Sequence, residues 1–206
     1  MKLTAVAVLS FAQSIALGAP SVPVLYDDVE LQWTVQAFPT GPFIHLNGTI
    51  EQVHAQILKI NPSFDKAYPP MYLPDTEEVN FEGKRTECGR PLGFADKRYI
   101  VKGIDYLRRL PFEVPKLPPG SCGRVSCSWD SAIKWCNHNR HVQHLKSMKT
   151  LADGAEHLVA NCNKYPFVPI ETSARINAPH GTMVDRVSGQ VWHEGGWSVI
   201  VGVEHC

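Results

Sequence analysis

The chain has 206 residues, of which 44% are hydrophobic and 19% charged, with 20 basic side chains against 20 acidic ones. This hydrophobic content is that of a globular protein and excludes wholesale disorder. The neutral charge balance excludes a nucleic-acid or polyanion binder, because such proteins gain their affinity from clustered positive charge. The length fits one domain, or one domain with appendages.

Residues 1–18 have the features of a secretory signal peptide. Lys2 supplies the basic start, a mostly apolar run follows, and Ala16 and Gly18 are the small residues that precede a cleavage site. The apolar run is shorter than the roughly 20 residues of a membrane-spanning helix. The leader therefore predicts a secreted, extracellular protein that is not an integral membrane protein.

The cysteines and one sequon fit the same secretory route. An even number of cysteines in an oxidising compartment indicates a full set of disulfides, with the connectivity left open. Asn47 is followed by Gly48 and Thr49, which makes it a predicted N-glycosylation site. The six cysteines are Cys88, Cys122, Cys127, Cys136, Cys162 and Cys206.

Residues 19–85 are interpreted as an N-terminal arm that ends in a Pro-rich linker. Thr49 and Gln52 form a capping-box pattern, and apolar residues at helical spacing predict a helix over 49–60. The dibasic pair Lys84-Arg85 at the end of the linker offers a processing site, so the whole arm is a candidate pro-segment. The disulfide-stabilised domain then spans residues 86–206.

The domain is predicted to have the α+β class, with a small antiparallel sheet covered by helices. Trp129, Ala132, Ile133 and Cys136 follow helical spacing and predict a helix over about 126–137. The alternating apolar residues of the C-terminal segment predict a strand, with a hairpin partner before it. The remaining predicted elements are helices over 99–110 and 148–162, strands over 191–192 and 197–203, and a weaker strand over 165–170.

The predicted central helix excludes one disulfide. Cys127 and Cys136 are nine residues apart, which is about 13 Å along a helix, whereas a disulfide needs Cα atoms within about 7 Å. These two cysteines should not pair with each other.

Part of the domain resembles a family of small secreted cysteine-containing proteins of filamentous ascomycete fungi, which are mostly uncharacterised candidate effectors. The resemblance implies a virulence-related role outside the fungal cell, and it transfers no catalytic residue. The helix-strand layout also resembles, in architecture only, the fungal killer-toxin-like proteins. The stretches that carry the family resemblance are Gly103–Arg108, Cys122–Asn137, Ser188–Gln190, Trp197–Val201 and Cys206.

The sequence also offers a candidate zinc site and a candidate acid–base pair, and the residue geometry disfavours both. Cys136, His138, His141 and His144 have zinc-ligand residue types, but helical spacing turns His138 and His144 apart, so we assign no metal and no cofactor. His193-Glu194 beside a Gly-Gly turn could serve as the acid–base pair of a small secreted hydrolase. Adjacent strand residues point to opposite faces, which disfavours that pair, and we assign no catalytic residue.

We therefore predict a monomeric, effector-like protein that does not catalyse a reaction. Its target is expected to be a protein or glycan of a host or competitor. A small secreted hydrolase and a cell-wall carbohydrate-binding module are the alternatives. Trp135 lies off the apolar stripe that begins at Trp129. It is therefore the predicted exposed aromatic and contact residue.

Overall fold

The computed structural model describes residues 26–69, 79–164 and 185–206. They form a mixed α+β fold with four helices and a mostly antiparallel six-stranded sheet, which confirms the predicted class. The predicted leader and the weak strand at 165–170 lie outside the described residues. The strands are β1 (Asp27–Val29), β2 (Gln32–Gln36), β3 (Phe43–Asn47), β4 (Thr86–Cys88), β5 (Ala95–Asp96), β6 (Ser121–Ser128), β7 (Ser131–Asn137), β8 (Asn163–Lys164), β9 (Arg186–Val187), β10 (Gly189–His193) and β11 (Trp197–Val203).

Two of the helices begin where a side chain accepts a hydrogen bond from a backbone N–H group of the first turn. Helix α1 (Ile50–Ile60) begins after Thr49, whose N–H donates to Gln52 Oε1 at 2.9 Å. In α3 (Lys97–Arg109), the Asp96 carboxylate accepts from the Arg98 N–H at 2.9 Å. The short α2 (Phe64–Ala67) and α4 (Lys149–Asn161) complete the set. The predicted helices over 49–60, 99–110 and 148–162 are thus confirmed.

The main sheet has the strand order β1-β6-β7-β11-β10-β4, and all its neighbours are antiparallel except β1 and β6. Helices α3 and α4 contact its central strands, and α1 packs against β6 and α3. The strand pair β10–β11 is the predicted C-terminal hairpin. Its side chains Trp197, Val199 and Val201 alternate into the core, as the period of two requires.

The predicted helix over 126–137 is wrong, because this segment comprises the end of β6, the hairpin turn and all of β7. Ile133 and Trp135 face the main core, whereas Cys136 packs in a separate cluster on the other face. A period of two therefore replaces the helical period. The helical spacing of Trp129 and Ala132 is coincidental, because Trp129 and Asp130 form the hairpin turn and Ala132 lies in the strand after it.

All six cysteines are paired within the domain, as the even count predicted. Cys88 joins Cys162, Cys122 joins Cys136, and Cys127 joins Cys206. The exclusion of a Cys127–Cys136 bridge is therefore confirmed, although the helix from which it was argued is absent. The hairpin register places Cys122 directly opposite Cys136 and Cys127 opposite Ala132.

The described part of the predicted arm belongs to the folded domain. Trp33, Ile50 and Val53 are fully buried in the same hydrophobic cluster as Val201 of the central sheet. At the start of α1, Glu51 accepts hydrogen bonds from the Ser126 hydroxyl at 2.5 Å and the Cys127 N–H at 3.2 Å. Removal of the arm at Lys84-Arg85 stays a prediction, and it would expose this shared core.

Candidate functional site

The β6–β7 hairpin ends in a two-residue turn with an unusual backbone. Trp129 has φ 50° and Asp130 has φ 53°, so both lie in the left-handed region. Two positive φ values in a two-residue loop are typical of a type I′ turn, whose twist matches the flanking strands. Asn, Asp and Gly adopt this region readily, but for other residues it costs about 1–2 kcal/mol. Trp129 therefore occupies a strained position.

The Trp129 side chain projects from the protein and is 64% exposed. Its ring stacks on Tyr99 of α3, with centroids 5.8 Å apart and planes 21° apart. Two cations border the Tyr99 ring: Lys102 Nζ lies 5.2 Å and the Arg98 guanidinium carbon 5.7 Å from its centroid. We call Trp129, Tyr99, Arg98 and Lys102 the Trp129 surface.

The end of the chain holds this turn in place. The Glu204 N–H donates to the Asp130 carbonyl at 3.2 Å, and the Cys206 N–H donates to Asp130 Oδ1 at 3.3 Å. The Cys127–Cys206 disulfide fixes the same strand end covalently. A contact residue held this way loses little freedom when it binds a partner, because the ordering cost is already met in the free protein.

Arg98 is fixed on the Trp129 surface by an ion pair. Its guanidinium donates to Asp96 Oδ2 at 2.7 Å, and this hydrogen bond raises the pKa of Arg98. Burial alone would raise the pKa of Asp96, but the hydrogen bonds and charge of Arg98 outweigh burial and lower it. The pair therefore stays charged at neutral pH and orients the guanidinium beside Tyr99.

The prediction that Trp135 is an exposed contact residue is wrong. Trp135 is fully buried on the inner face of β7, while Trp129, which was expected in the core, is the exposed one. The two assignments were exchanged because a helical period was applied to a strand. No Gly or Asn marks the turn, so the sequence carried little signal for the exposure of Trp129.

The histidines with zinc-ligand spacing do not converge. Cys136 is bonded to Cys122, so it offers no thiolate. His138 instead lies between two hydroxyls, with Nδ1 2.7 Å from Tyr26 Oη and Nε2 2.7 Å from Ser198 Oγ. Among the described residues, no group of three or more His, Cys, Asp or Glu side chains could hold a metal ion.

The Ser198–His138 pair has the spacing of a nucleophile and its base. Ser198 is nevertheless fully buried in β11, and its hydroxyl also accepts a hydrogen bond from Gln190 Nε2 at 2.9 Å. A substrate has no access to this hydroxyl in the structure. The network satisfies polar groups on the second face of the sheet, which would otherwise be costly to bury.

His193 and Glu194, the predicted acid–base pair, have separate partners. His193 stacks on Trp197 with ring centroids 4.4 Å apart, and its Nδ1 accepts from the Gly195 N–H at 2.9 Å. Glu194 forms an ion pair with Lys84. Burial, then the charge of Lys84, lowers the pKa of His193. The described hydrogen bonds include none between His193 and Glu194.

Acidification is expected to destabilise the fold. Burial is the largest cause of a lowered pKa for each of His138, His157 and His193. Their neutral forms are favoured in the folded state, so stability is complete above the ordinary histidine pKa of about 6.5 and falls as the pH decreases below it. Urea midpoints at about pH 5.5 should be lower than at about pH 7.5.

A matched pair of variants assigns this pH dependence. His138→Gln should weaken it, because the largely enclosed imidazole is removed, whereas His141→Gln, at an exposed position, should leave it unchanged. Equal urea midpoints for the wild-type protein at both pH values would contradict the expectation.

Other predicted features lie on the surface. Asn47 is exposed at the end of β3, where a glycan can be attached. At the dibasic pair, the Arg85 carbonyl accepts from the Trp192 N–H at 3.0 Å, and the Arg85 guanidinium lies 4.1 Å from the Trp192 ring centroid. A protease would have to displace these contacts to cleave after Arg85.

The fold and its surface define a disulfide-stabilised α+β protein that presents a fixed, exposed aromatic surface. No helix among residues 26–69, 79–164 and 185–206 is both long and apolar enough to span a bilayer. Comparison of the chain with family models, with curated proteins and with solved structures finds no match.

Proposed function

We propose that the protein is secreted and acts outside the cell as an effector-like binding protein, without catalysing a reaction, on a host or competitor target. Three disulfides support an extracellular site of action, because cytosolic thiols are kept reduced. The resemblance of Cys122–Asn137 to secreted fungal candidate effectors supports a target in a host or competitor organism.

The exposed, strained Trp129 carries the proposal. A folding requirement alone would favour Asn or Gly at this turn position, and residues in strained conformations cluster at functional sites. The Trp129 surface also has the residue types that dominate binding energy at protein interfaces, namely Trp, Tyr and Arg. We therefore favour a protein target, with Arg98 and Lys102 facing acidic groups of that target.

A cell-wall carbohydrate is the second candidate for this surface. The nearly parallel rings of Trp129 and Tyr99 form an offset aromatic face, against which the apolar face of a sugar ring can pack. This candidate differs from a protein target in one observable way, since it predicts retention on an insoluble polysaccharide.

The variant Trp129→Asn separates binding from folding. Asn adopts the left-handed region more easily than Trp, which offsets the lost ring stacking, so the free energy of unfolding should stay within about 1 kcal/mol of wild type. Purified wild-type protein infiltrated into host tissue should change defence or growth, and Trp129→Asn should need at least about tenfold more protein for the same response. Val142→Ala, which truncates another exposed apolar side chain, should act like wild type.

Pull-downs on chitin and on β-glucan distinguish the two candidate targets. Retention of wild type but not of Trp129→Asn would favour a carbohydrate over a protein target. Equal tissue responses to wild type and Trp129→Asn would overturn the role of the surface. The effector proposal fails if the wild-type protein is inactive in tissue and a strain that lacks it keeps full virulence.

A further inference from the structure

A second surface is defined by an absence of charge. The twenty residues from Leu31 to Ile50 include no Asp, Glu, Lys or Arg, although 19% of the whole chain is charged. This run contains the β2–β3 hairpin. One face of the hairpin is buried in the core through Leu31, Trp33 and Val35, which accounts for part of the apolar character but not for the missing charges on the exposed face.

The end of this hairpin exposes two aromatic rings. Phe38 is 47% exposed and Phe43 is 60% exposed, although large apolar side chains are usually covered. In the loop between them, the Gly41 N–H donates to the Phe38 carbonyl at 2.8 Å, and Gln36 Nε2 donates to the Gly41 carbonyl at 2.7 Å. The loop is therefore held in a defined conformation while its rings face solvent.

The end of α1 lies beside this hairpin. Asn61, directly after α1, donates from Nδ2 to the Ala37 carbonyl at 2.7 Å. The residue before it, Ile60, is 45% exposed. We call Phe38, Phe43 and Ile60 the apolar tip.

Among the described residues, two lysines with exposed side chains lie on the elements next to the hairpin. Lys59 precedes Ile60, and Lys66 lies in α2, both with exposed side chains. The following Tyr68 hydroxyl lies 3.5 Å from Gln36 Oε1, which places α2 beside the hairpin. Two acids also lie close by: Asp65 is bound to His54 Nε2 at 2.7 Å, and the Glu113 N–H donates to the Thr34 carbonyl of β2 at 3.3 Å.

We propose that the apolar tip docks onto the surface of an anionic phospholipid bilayer, with Phe38 and Phe43 at the level of the headgroups and acyl chains. Lys59 and Lys66 then meet the lipid phosphates. This order of groups matches the layers of a membrane surface, where apolar rings enter and basic groups stay at the charged interface. An uncharged hairpin enters without the cost of dehydrating an ion.

The predicted glycan is compatible with this orientation. Asn47 lies at the opposite end of β3 from Phe43, about 14 Å away at the rise of a strand. A glycan there would be attached at the end of the strand that is remote from the docked tip. The proposal stands on residues apart from the Trp129 surface, so either can fail without the other.

Vesicle sedimentation tests the proposal with the purified full chain. The wild-type protein should sediment with vesicles of phosphatidylcholine and phosphatidylserine, and more weakly with phosphatidylcholine alone. Phe38→Ser combined with Phe43→Ser should lower the binding at least about tenfold. Lys59→Gln combined with Lys66→Gln should remove the preference for the anionic lipid and most of the salt dependence.

Val101→Ala combined with Val142→Ala is the matched control, because it truncates two other exposed apolar side chains. It should bind vesicles like wild type. The proposal is overturned if wild type sediments with neither vesicle, or if the Phe38/Phe43 variant binds as wild type does. Loss of tissue activity in that variant, with no vesicle binding by wild type, would instead assign the tip to a protein partner.

Discussion

Replacing Cys88 and Cys162 together with alanine is expected to lower the free energy of unfolding by about 2–5 kcal/mol. This bridge joins edge strand β4 to the end of α4 across 74 residues of sequence. A cross-link over so long a loop removes many conformations of the unfolded chain, which is the main source of its stabilisation. Urea denaturation of the oxidised proteins, followed by circular dichroism, measures the difference.

The Cys122–Cys136 bridge provides the matched control. It spans only 14 residues and connects facing positions of one hairpin. By loop length alone, its removal should cost about 3 kcal/mol, against about 4.5 kcal/mol for Cys88–Cys162. A larger loss for the short loop would contradict the chain-entropy explanation and would indicate that the bridge acts mainly within the folded hairpin.

Trp135→Ala should lower the free energy of unfolding by about 3–5 kcal/mol. The side chain is fully buried in the middle of the sheet, where β7 pairs Trp135 with Gly123 on one side and Val199 on the other. Truncation removes an indole from a packed layer between two strands and the helices, and it leaves a cavity. Thermal or urea denaturation of the variant measures the loss.

Trp135→Phe tests how much of that loss comes from volume. The Trp135 Nε1 atom is buried and has no hydrogen-bond partner among the described residues. Phenylalanine keeps most of the apolar volume and removes this unpaired donor, so the loss should be about 1 kcal/mol or less. Wild-type stability of Trp135→Ala would contradict the burial of this residue and would restore it as a contact candidate.

Helices α1, α3 and α4 and the β10–β11 hairpin were predictable because their signals are local. The stripe of Ile100, Ile104 and Leu107 in α3 needs only one element and one buried face. Strand β11 is buried on both faces, but its residue types still alternate, because Ser198 and Gly202 lie between apolar neighbours. The cap at Thr49 similarly involves residues within one turn. For these elements, the spacing of apolar residues along the sequence was enough to predict the helix or strand.

The β6–β7 hairpin could not be predicted in this way, because no regular alternation of apolar and polar residues marks its strands. Most residues of each strand are buried, so neither strand shows the alternation of a half-exposed strand. The turn at Trp129-Asp130 also lacks the glycine that usually marks it. The site was missed for the same reason, since the exposure of Trp129 follows from the turn.

Residues 26–69, which are part of the arm predicted over 19–85, are held in the folded domain by long-range contacts. Strand β1 pairs in parallel with β6, almost a hundred positions later, with Asp28 opposite Cys122. Parallel pairing over such a distance leaves no local pattern. The absence of cysteines before Cys88 indicated a separate segment, but burial of Trp33 and Ile57 stabilises this part of the chain instead.

Oxidative footprinting of the tryptophans tests the contact role of Trp129 most directly. In the free protein, hydroxyl radicals should modify Trp129, which is 64% exposed, and leave the fully buried Trp135 unmodified. In extracellular fluid from responsive host tissue, Trp129 should be strongly protected, with no change at the exposed Phe43. Equal modification of Trp129 with and without that fluid, under conditions where the protein is active, would contradict that contact role.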